Sequence, residues 1–490
     1  MILLLALLPS ADATPWCRTL DHLALHPPRA ERSEPPPTRP QTAVPETCID
    51  PQELADAENL DGTFDSVRIT THFAIAWDAT DPAVTEAALD TYEDALERSW
   101  EVEVDELGWL APDETENCLI TVLIAALPAS WGDTGGYTNV QQSGTVPFMV
   151  LNTDWIQHGD VWAETLVAHE FNHATQFAYD VFWDESDWWY WEATAEWMTD
   201  SVYDDGDTYI WSLWSYLAAP ELGLESYEEY VQYGHFAFNT YLAENVDPAA
   251  PRMIWEAAGP AASVPSALDQ GLSGAGESFE DAVLGYTSRV AAMDVSERQV
   301  WLDALGYFEV DPWRAHVEEY PADGDYDAHT PEALGQNFMH LGGAPGGDLR
   351  FSFAGEAEVG GASPEWGITV ASVDDAGAVT HEVIRADASG GAEVVISGLG
   401  VDLSDVYIGV VPMGDIGTNA AAWSWSAEVV KPTDTDEVVD EEQVACGCTS
   451  GNSRGAGLGG LILALGWARG RRDPRRISLL PFGVIQNSRR

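Results

Sequence analysis

The chain has 490 residues, of which 45% are hydrophobic, so it is long enough to form two or more domains with buried cores. It carries 82 acidic residues against 21 lysines and arginines, a formal net charge of -61. Such a charge repels phosphate groups, so we expect no nucleic-acid partner. An acidic surface keeps an exported protein soluble, but it does not identify a substrate.

The chain begins with two segments that are not expected to belong to a folded core. Residues 1–13 are an apolar run that ends in a small-x-small site, which predicts a signal peptide cleaved before Thr14. Residues 14–50 are rich in proline and cannot bury enough apolar surface to fold alone, so they are predicted to be a linker or a propeptide. We therefore expect a protein that is secreted or held at the cell surface.

Three cysteines precede or enter the first predicted domain. Cys17, Cys48 and Cys118 could supply one disulfide with one cysteine left over. The spacing does not select the pair.

Residues 51–333 are predicted to form an α+β domain in which a mixed sheet lobe leads into a helical lobe. Runs of β-branched residues with period two predict strands, and apolar residues at helical spacing predict helices. The segments VRITTHFAIAW and CLITVLIAAL predict strands, and GGYTNV and PFMVLNTDW predict two more, one of them at an edge. The segments VWAETLVAHEFNHATQFAYD and WWYWEATAEWMTDSV predict the first two helices of the helical lobe. The junction between the sheet lobe and the helical lobe is a reasonable place for a cleft.

The remainder of the chain changes character twice. Residues 334–430 alternate short strands with Gly, Asp and Ser turns, which predicts a small β-sandwich as an accessory domain. Residues 431–445 are an acidic linker, and residues 446–490 are a tail with a short apolar segment at 455–468. That segment is shorter than the roughly 20 residues that usually span a bilayer.

The motif HEFNH lies in the first helix of the helical lobe. His169 and His173 are four residues apart, so both imidazoles project from one helical face and can bind one metal ion. Glu170 lies within reach of a water on that ion. The same pattern arises by accident in roughly a few per cent of chains this long, so a third ligand is needed to decide.

The third ligand is supplied by the second helix. Eighteen residues, 174–191, separate His173 from Glu192 in the run WEATAEW. A carboxylate completes a pair of histidines well as a catalytic zinc site with one open position. The pattern HExxH-x18-E resembles the gluzincin metallopeptidases, with Ala193 standing where the family usually has glycine. The resemblance implies a zincin-like fold in which His169, His173 and Glu192 bind zinc and Glu170 is the general base for a zinc-activated water.

Four further residues have weaker predicted roles. Glu196 shares a helical face with Glu192, so it is placed to accept a hydrogen bond from a ligand histidine, and Asp200 is a second candidate for this duty. Tyr233 and His235 are candidates to stabilise the oxyanion, since gluzincins commonly use a downstream tyrosine or histidine. Each of the four is equally well explained as an ordinary helix acid or core residue.

A cluster of aromatic residues surrounds the second ligand helix. It could line a substrate subsite, although such clusters are more often core. Its members are Trp183, Trp188, Trp189, Tyr190, Trp191 and Trp197.

The tail resembles the MYXO-CTERM sorting signal of exported myxobacterial proteins. The similarity lies in Cys446-Gly447-Cys448, the apolar segment and the arginines from Arg469 to Arg476. It implies processing at Cys446 or Cys448 and attachment to a membrane or outer surface. The alternative is a poorly packed tail or a stretch translated beyond the natural protein.

Together the motifs predict a secreted or surface-anchored zinc metallopeptidase that hydrolyses polypeptides. The layout is similar to that of secreted metalloproteases of myxobacterial type. Gluzincin aminopeptidases carry a glycine-rich motif that anchors the amino terminus of the substrate. This sequence has no clear counterpart of that motif, which favours an endopeptidase. One alternative is a degenerate gluzincin relative that keeps zinc and binds polypeptide at the surface without cutting it. Another is a structural or adhesive surface protein in which HEFNH is accidental.

Overall fold

The computed structural model describes residues 17–19, 47–132, 134–140, 146–260, 262–326, 329–414, 416 and 419–430. The predicted signal peptide, all but a few residues of the segment 14–50, the acidic linker and the sorting tail lie outside the described residues. The described part is a mixed α+β structure with three sheets and a helical layer.

The first sheet has five strands in the order β1-β2-β3-β5-β4. The strands β2, β3 and β5 are parallel to one another, and the two edge strands β1 and β4 are antiparallel to their neighbours. The segment predicted as one strand, VRITTHFAIAW, forms the hairpin β1–β2, in which Thr70 donates its N–H to Phe73 O across the turn. The strands are β1 Ser66–Ile69, β2 Phe73–Trp77, β3 Ile120–Ala125, β4 Gly136–Val140 and β5 Pro147–Asn152.

Helices cover both faces of this sheet. Apolar residues of α1 Pro51–Ala57 pack on one face. Those of α2 Glu86–Trp100 and of α3 Asp160–Phe177 pack on the other. The helix α2 begins at its N-cap Thr85, whose side chain accepts from Ala88 N–H, and continues as a π-helix over Glu101–Glu106. Because the sheet is covered on both faces, its central strands β3 and β5 are buried throughout.

The helical layer follows α3 along the chain. Its first member, α4, packs directly against α3. The helices are α4 Trp188–Val202, α5 Ile210–Ala218, α6 Val231–Gly234, α7 Phe236–Asn245, α8 Ala250–Ala257, α9 Val264–Ser273, α10 Phe279–Ala291 and α11 Arg298–Phe308.

Two further sheets enclose a second core, as a β-sandwich does. They begin before residue 334, where the sequence pattern predicts the sandwich to start, because the short polar strands β6 and β7 belong to them. One sheet has the order β11-β10-β13-β8-β6 and the other β12-β9-β14-β7. The strands are β6 Trp313–Val317, β7 Ala322–Asp325, β8 Asn337–Leu341, β9 Asp348–Gly355, β10 Glu365–Asp374, β11 Val379–Arg385, β12 Gly391–Ile396, β13 Leu403–Met413 and β14 Trp423–Val430.

The disulfide left open by the sequence joins Cys48 to Cys118. It ties the segment before α1 to the start of β3, and Cys17 keeps its thiol in a buried position. Within the described ranges, no helix is both long enough and apolar enough to cross a membrane.

Candidate metal centre

The helix α3 runs between the first sheet and α4, and every residue from Thr165 to Phe177 is buried. His169 and His173 therefore lie in the interior, one helical turn apart, with their rings in edge-to-face contact. Their Nε2 atoms are 3.1 Å apart and face the same point. The helical spacing thus brings together two nitrogens that could bind a metal, as the sequence predicts.

Glu192 reaches the same point from α4. Its Oε2 lies 3.0 Å from His169 Nε2 and 3.6 Å from His173 Nε2. Ligand atoms about 2.0–2.1 Å from a tetrahedral zinc ion are about 3.3 Å from one another, so these separations fit one shared ion. Glu192 is fully buried, and its Oε1 has no hydrogen-bond partner among the described residues. A buried carboxylate with an orphaned oxygen beside two imidazoles is the donor set that a divalent cation satisfies.

Cys17 is the fourth donor of this group, and no sequence pattern pointed to it. Its Sγ lies 3.4 Å from His173 Nε2. The ligand atoms of Cys17, His169, His173 and Glu192 all lie within 4.8 Å of one another. The structure therefore contains a buried Cys/His/His/Glu group that could hold a metal ion. We call these four residues the metal-donor group.

Glu170 lies beside the metal-donor group and points towards the edge strand β4. Its Oε2 is 2.8 Å from Thr138 Oγ1 and accepts from Thr19 Oγ1 at 3.2 Å. Its Oε1 has no hydrogen-bond partner among the described residues. Burial raises the pKa of Glu170, and the neighbouring histidines only partly offset this effect.

A glycine of β4, Gly136, lies beside Glu170. A Cβ at Gly136 would lie 2.8 Å from Val150 O and 3.4 Å from Glu170 Cγ. A side chain at Gly136 would therefore clash with the backbone of the neighbouring strand β5, while Glu170 would lie at about an ordinary contact distance.

Each of the two histidines has a side-chain oxygen close to its second nitrogen. Glu196 Oε2 lies 3.3 Å from His169 Nδ1, and Glu196 Oε1 accepts from Ser212 Oγ at 2.7 Å. Gln176 Oε1 lies 2.8 Å from His173 Nδ1. Burial lowers the pKa of His169, but its hydrogen bonds with Glu192 and Glu196 outweigh that effect and raise the pKa to about 10. The sequence predicted the position of Glu196 but missed that of Gln176.

Tyr233 and His235 have different surroundings. The Tyr233 hydroxyl donates to the backbone carbonyl of Cys17 at 3.3 Å, and its ring lies against His169. His235 is buried with its ring against Trp189 and Tyr216, and burial lowers its pKa to about 3. Within the described part of the chain, no hydrogen bond joins His235 to the metal-donor group. The structure therefore brings Tyr233, but not His235, into the site.

Asp200 lies away from the ligand histidines. It belongs to a separate acidic group with Asp204 and Glu297. Burial, followed by the charge of Glu297, raises the pKa of Asp200 to about 8. Asp200 therefore does not share the role of Glu196, although both lie on α4.

The aromatic cluster predicted around α4 is part of the interior. Four of its members are buried, and Trp183 and Trp188 are partly buried against the same core. The rings of Tyr190, Trp191 and Phe182 pack around Trp255 of α8. This packing favours the core interpretation over a substrate subsite.

Residues 41–396 match the model of a family described as "Family of unknown function (DUF6055)". The chain belongs to this family. The DUF6055 match spans the metal-donor residues of α3 and α4, the edge strand β4 and most of the sandwich, but it begins after Cys17. No curated protein matches the chain.

Among solved structures, the chain is similar to the CBM22-1 xylan-binding domain of Xyn10C from Paenibacillus barcinonensis. The identity is 12%, and the match covers 21% of this chain and 70% of that domain with a TM-score of 0.16.

Proposed function

We propose that this protein is a zinc-dependent metallopeptidase whose first domain, with its sheet lobe and helical lobe, is zincin-like. The observation that carries the proposal is the convergence of His169, His173 and Glu192 from two adjacent helices, with Glu170 beside them. Two imidazoles and a carboxylate are the protein ligands of one class of catalytic zinc site. The metal-donor group would thus hold zinc, with Cys17 at the position that a peptidase must free for water.

When bound, zinc would act as a Lewis acid that acidifies a water molecule and polarises the scissile carbonyl. The chain's own contribution begins at Glu170, whose Oε1 is unpartnered among the described residues and is available to take a proton from the attacking water. The contact of Thr138 with Oε2 fixes the orientation of this carboxylate. Glu170 would then deliver the proton to the leaving amine.

The edge strand β4 supports a polypeptide as the substrate. Its inner side pairs with β5, and its outer side carries backbone groups that an extended peptide can pair with. The Tyr233 hydroxyl already donates to a peptide carbonyl beside the metal-donor group, which is the contact that an oxyanion donor makes. Internal cleavage of secreted or surface-exposed polypeptides is the reaction we propose.

A second function, zinc binding without hydrolysis, is favoured by one observation. Cys17 completes a set of four protein donors, and structural zinc sites are closed in this way. A protein with this site permanently closed would be a surface binding protein with a gluzincin-like scaffold.

Metal analysis combined with casein digestion separates these functions. Cys17 lies at the fourth metal position, so the full chain is prepared both with Cys17 and as Cys17→Ser. Each of these two forms is made in three versions: without further change, with Glu170→Gln, and with the control Glu164→Gln. Glu164 lies on the same helix, partly exposed and outside the metal-donor group.

We expect about one zinc per chain in all six proteins and casein cleavage only where Glu170 is retained. Removal of a catalytic proton-transfer group reduces the rate by about 10²–10⁴-fold. Zinc in every protein with cleavage by none would reject the peptidase and favour the binding protein.

A further inference from the structure

Residues 17–19 lie along the outer edge of β4, in the place that an added strand would take. Cys17 pairs in parallel with Gly136, and Arg18 donates its N–H to Gly136 O at 3.3 Å. Thr138 in turn donates its N–H to Thr19 Oγ1 at 2.9 Å. These are the backbone groups of an edge strand that bind extended peptides. The segment 17–19 therefore occupies the edge that a polypeptide substrate would need.

The same three residues contact each group that the proposed hydrolysis uses. Cys17 Sγ completes the metal-donor group, and Cys17 O accepts from the Tyr233 hydroxyl. Thr19 Oγ1 donates to Glu170 Oε2. A single short segment thus covers the fourth metal position, the candidate oxyanion donor and the candidate general base.

The site is closed while this segment is in place. His169, Glu170, His173 and Glu192 are all 0% exposed, and Cys17 is 2% exposed. The Oε1 atoms of Glu170 and Glu192, which have no partner in the part of the chain that the structure describes, are buried as well. Neither water nor substrate can reach these groups in this arrangement.

We infer that residues 17–19 form an inhibitory segment, in which the Cys17 thiolate is the fourth metal ligand and the backbone of the segment takes the place of substrate on β4. This inference rests on the proposed function. The Cys17 thiol releases its proton to solvent when Sγ binds the metal, and the thiolate takes a proton back when water replaces it. No bond of the chain is broken in this exchange.

The ligand assignment is tested on the full chain loaded with cobalt(II) in place of zinc. A thiolate ligand gives cobalt(II) a charge-transfer absorption in the near ultraviolet that nitrogen and oxygen ligands do not give. The variants are Cys17→Ser and, as a matched thiol control, Cys446→Ser combined with Cys448→Ser. We expect one cobalt per chain throughout, with the charge-transfer band in the parent and the control and without it in Cys17→Ser.

Opening of the site is tested with acetohydroxamate, a small ligand that binds metals through two oxygens. We expect acetohydroxamate to change the cobalt spectrum of Cys17→Ser and to leave the parent spectrum unchanged. Blocking the Cys17 thiol of the metal-free parent with methyl methanethiosulfonate, followed by loading with cobalt, gives the same comparison without a substitution. Peptide mass mapping identifies the blocked cysteine.

Casein hydrolysis then measures the inhibition. If one parent chain in ten has an open site, Cys17→Ser raises the rate about tenfold, because the rate follows the open fraction. The inhibitory-segment hypothesis would be overturned if the parent bound one cobalt without a charge-transfer band. It would also be overturned if the parent and Cys17→Ser responded equally to acetohydroxamate. The expected cobalt results without any casein cleavage would instead overturn the proposed peptidase and leave Cys17 as a ligand of a closed site.

Discussion

Gln176 controls which nitrogen of His173 faces the metal-donor group. Its Oε1 lies 2.8 Å from His173 Nδ1. Its amide nitrogen donates to Asn172 Oδ1 at 2.7 Å and to Trp191 O at 3.0 Å. These two donated bonds leave Oε1 as the acceptor, so His173 Nδ1 carries the proton and Nε2 keeps its lone pair for a metal.

Replacing Gln176 by Leu is therefore expected to weaken metal binding without removing a ligand. Loss of such an orienting partner typically costs about 10–100-fold in metal affinity. Competition with a chromogenic chelator measures the change. Gln299→Leu, on the exposed face of α11, is the control and should leave the affinity unaltered. Equal affinities of Gln176→Leu and the parent would show that Gln176 does not orient His173.

At the scale of elements, the position of Tyr233 depends on how closely α6 crosses α5. A Cβ at Gly234 would lie 2.6 Å from Ser212 O and 2.5 Å from Tyr216 Cβ. The obstructing atoms belong to the backbone and the first side-chain carbon of α5, so they cannot turn aside. The glycine next to Tyr233 therefore sets the distance between the two helices.

We expect Gly234→Ala to lower the free energy of unfolding by about 1–3 kcal/mol, the usual cost of overpacking. Gly306→Ala is a matched control, because a Cβ at Gly306 of α11 would have no atom within 4 Å of it. The control should raise the free energy of unfolding by about 0.5–1 kcal/mol, since alanine favours a helix over glycine. Urea denaturation measures both changes, and a neutral Gly234→Ala would contradict the close crossing.

At the scale of the whole molecule, α10 joins the helical layer to the sandwich. It packs against β10 and β13, and Leu284 Cδ2 would lie 2.1 Å from a Cβ at Gly367. Leu284 is buried at this junction. Arg385 of β11 adds ion pairs with Glu280 and Asp281 of the same helix, at 2.7 and 2.8 Å. One sheet of the sandwich therefore packs on α10, whose buried residues belong to the core of the helical layer.

Because α10 packs both within the helical layer and against β10 and β13, we expect the helical layer and the sandwich to unfold in a single calorimetric transition. Leu284→Ala should lower the free energy of unfolding by about 2–5 kcal/mol, the cost of truncating a buried leucine. The whole transition should move to lower temperature. Val383→Ala, on the exposed side of β11, should leave it nearly unchanged. Two separate transitions, of which only one responds to Leu284→Ala, would contradict the coupling.

The sequence by itself determined the α+β class and the positions of His169, His173 and Glu192 on two neighbouring helices. Local rules suffice for these features. Helical periodicity places residues four apart on one face, and segment length distinguishes a buried helix from a strand. The position of Glu196 followed from the same periodicity. Asp200 has a similar spacing, but its side chain belongs to an acidic group with Glu297, which the helical period could not reveal.

Only the tertiary structure decided which residues complete the site. Cys17 is separated from His173 by more than 150 positions. Thr138 reaches Glu170 from β4, an edge strand of the first sheet. Such contacts depend on how the sheet edge passes over α3, and no local pattern encodes that approach. The pairing of Cys48 with Cys118 was open for the same reason, because it depends on which chain segments fold against each other rather than on their spacing along the sequence.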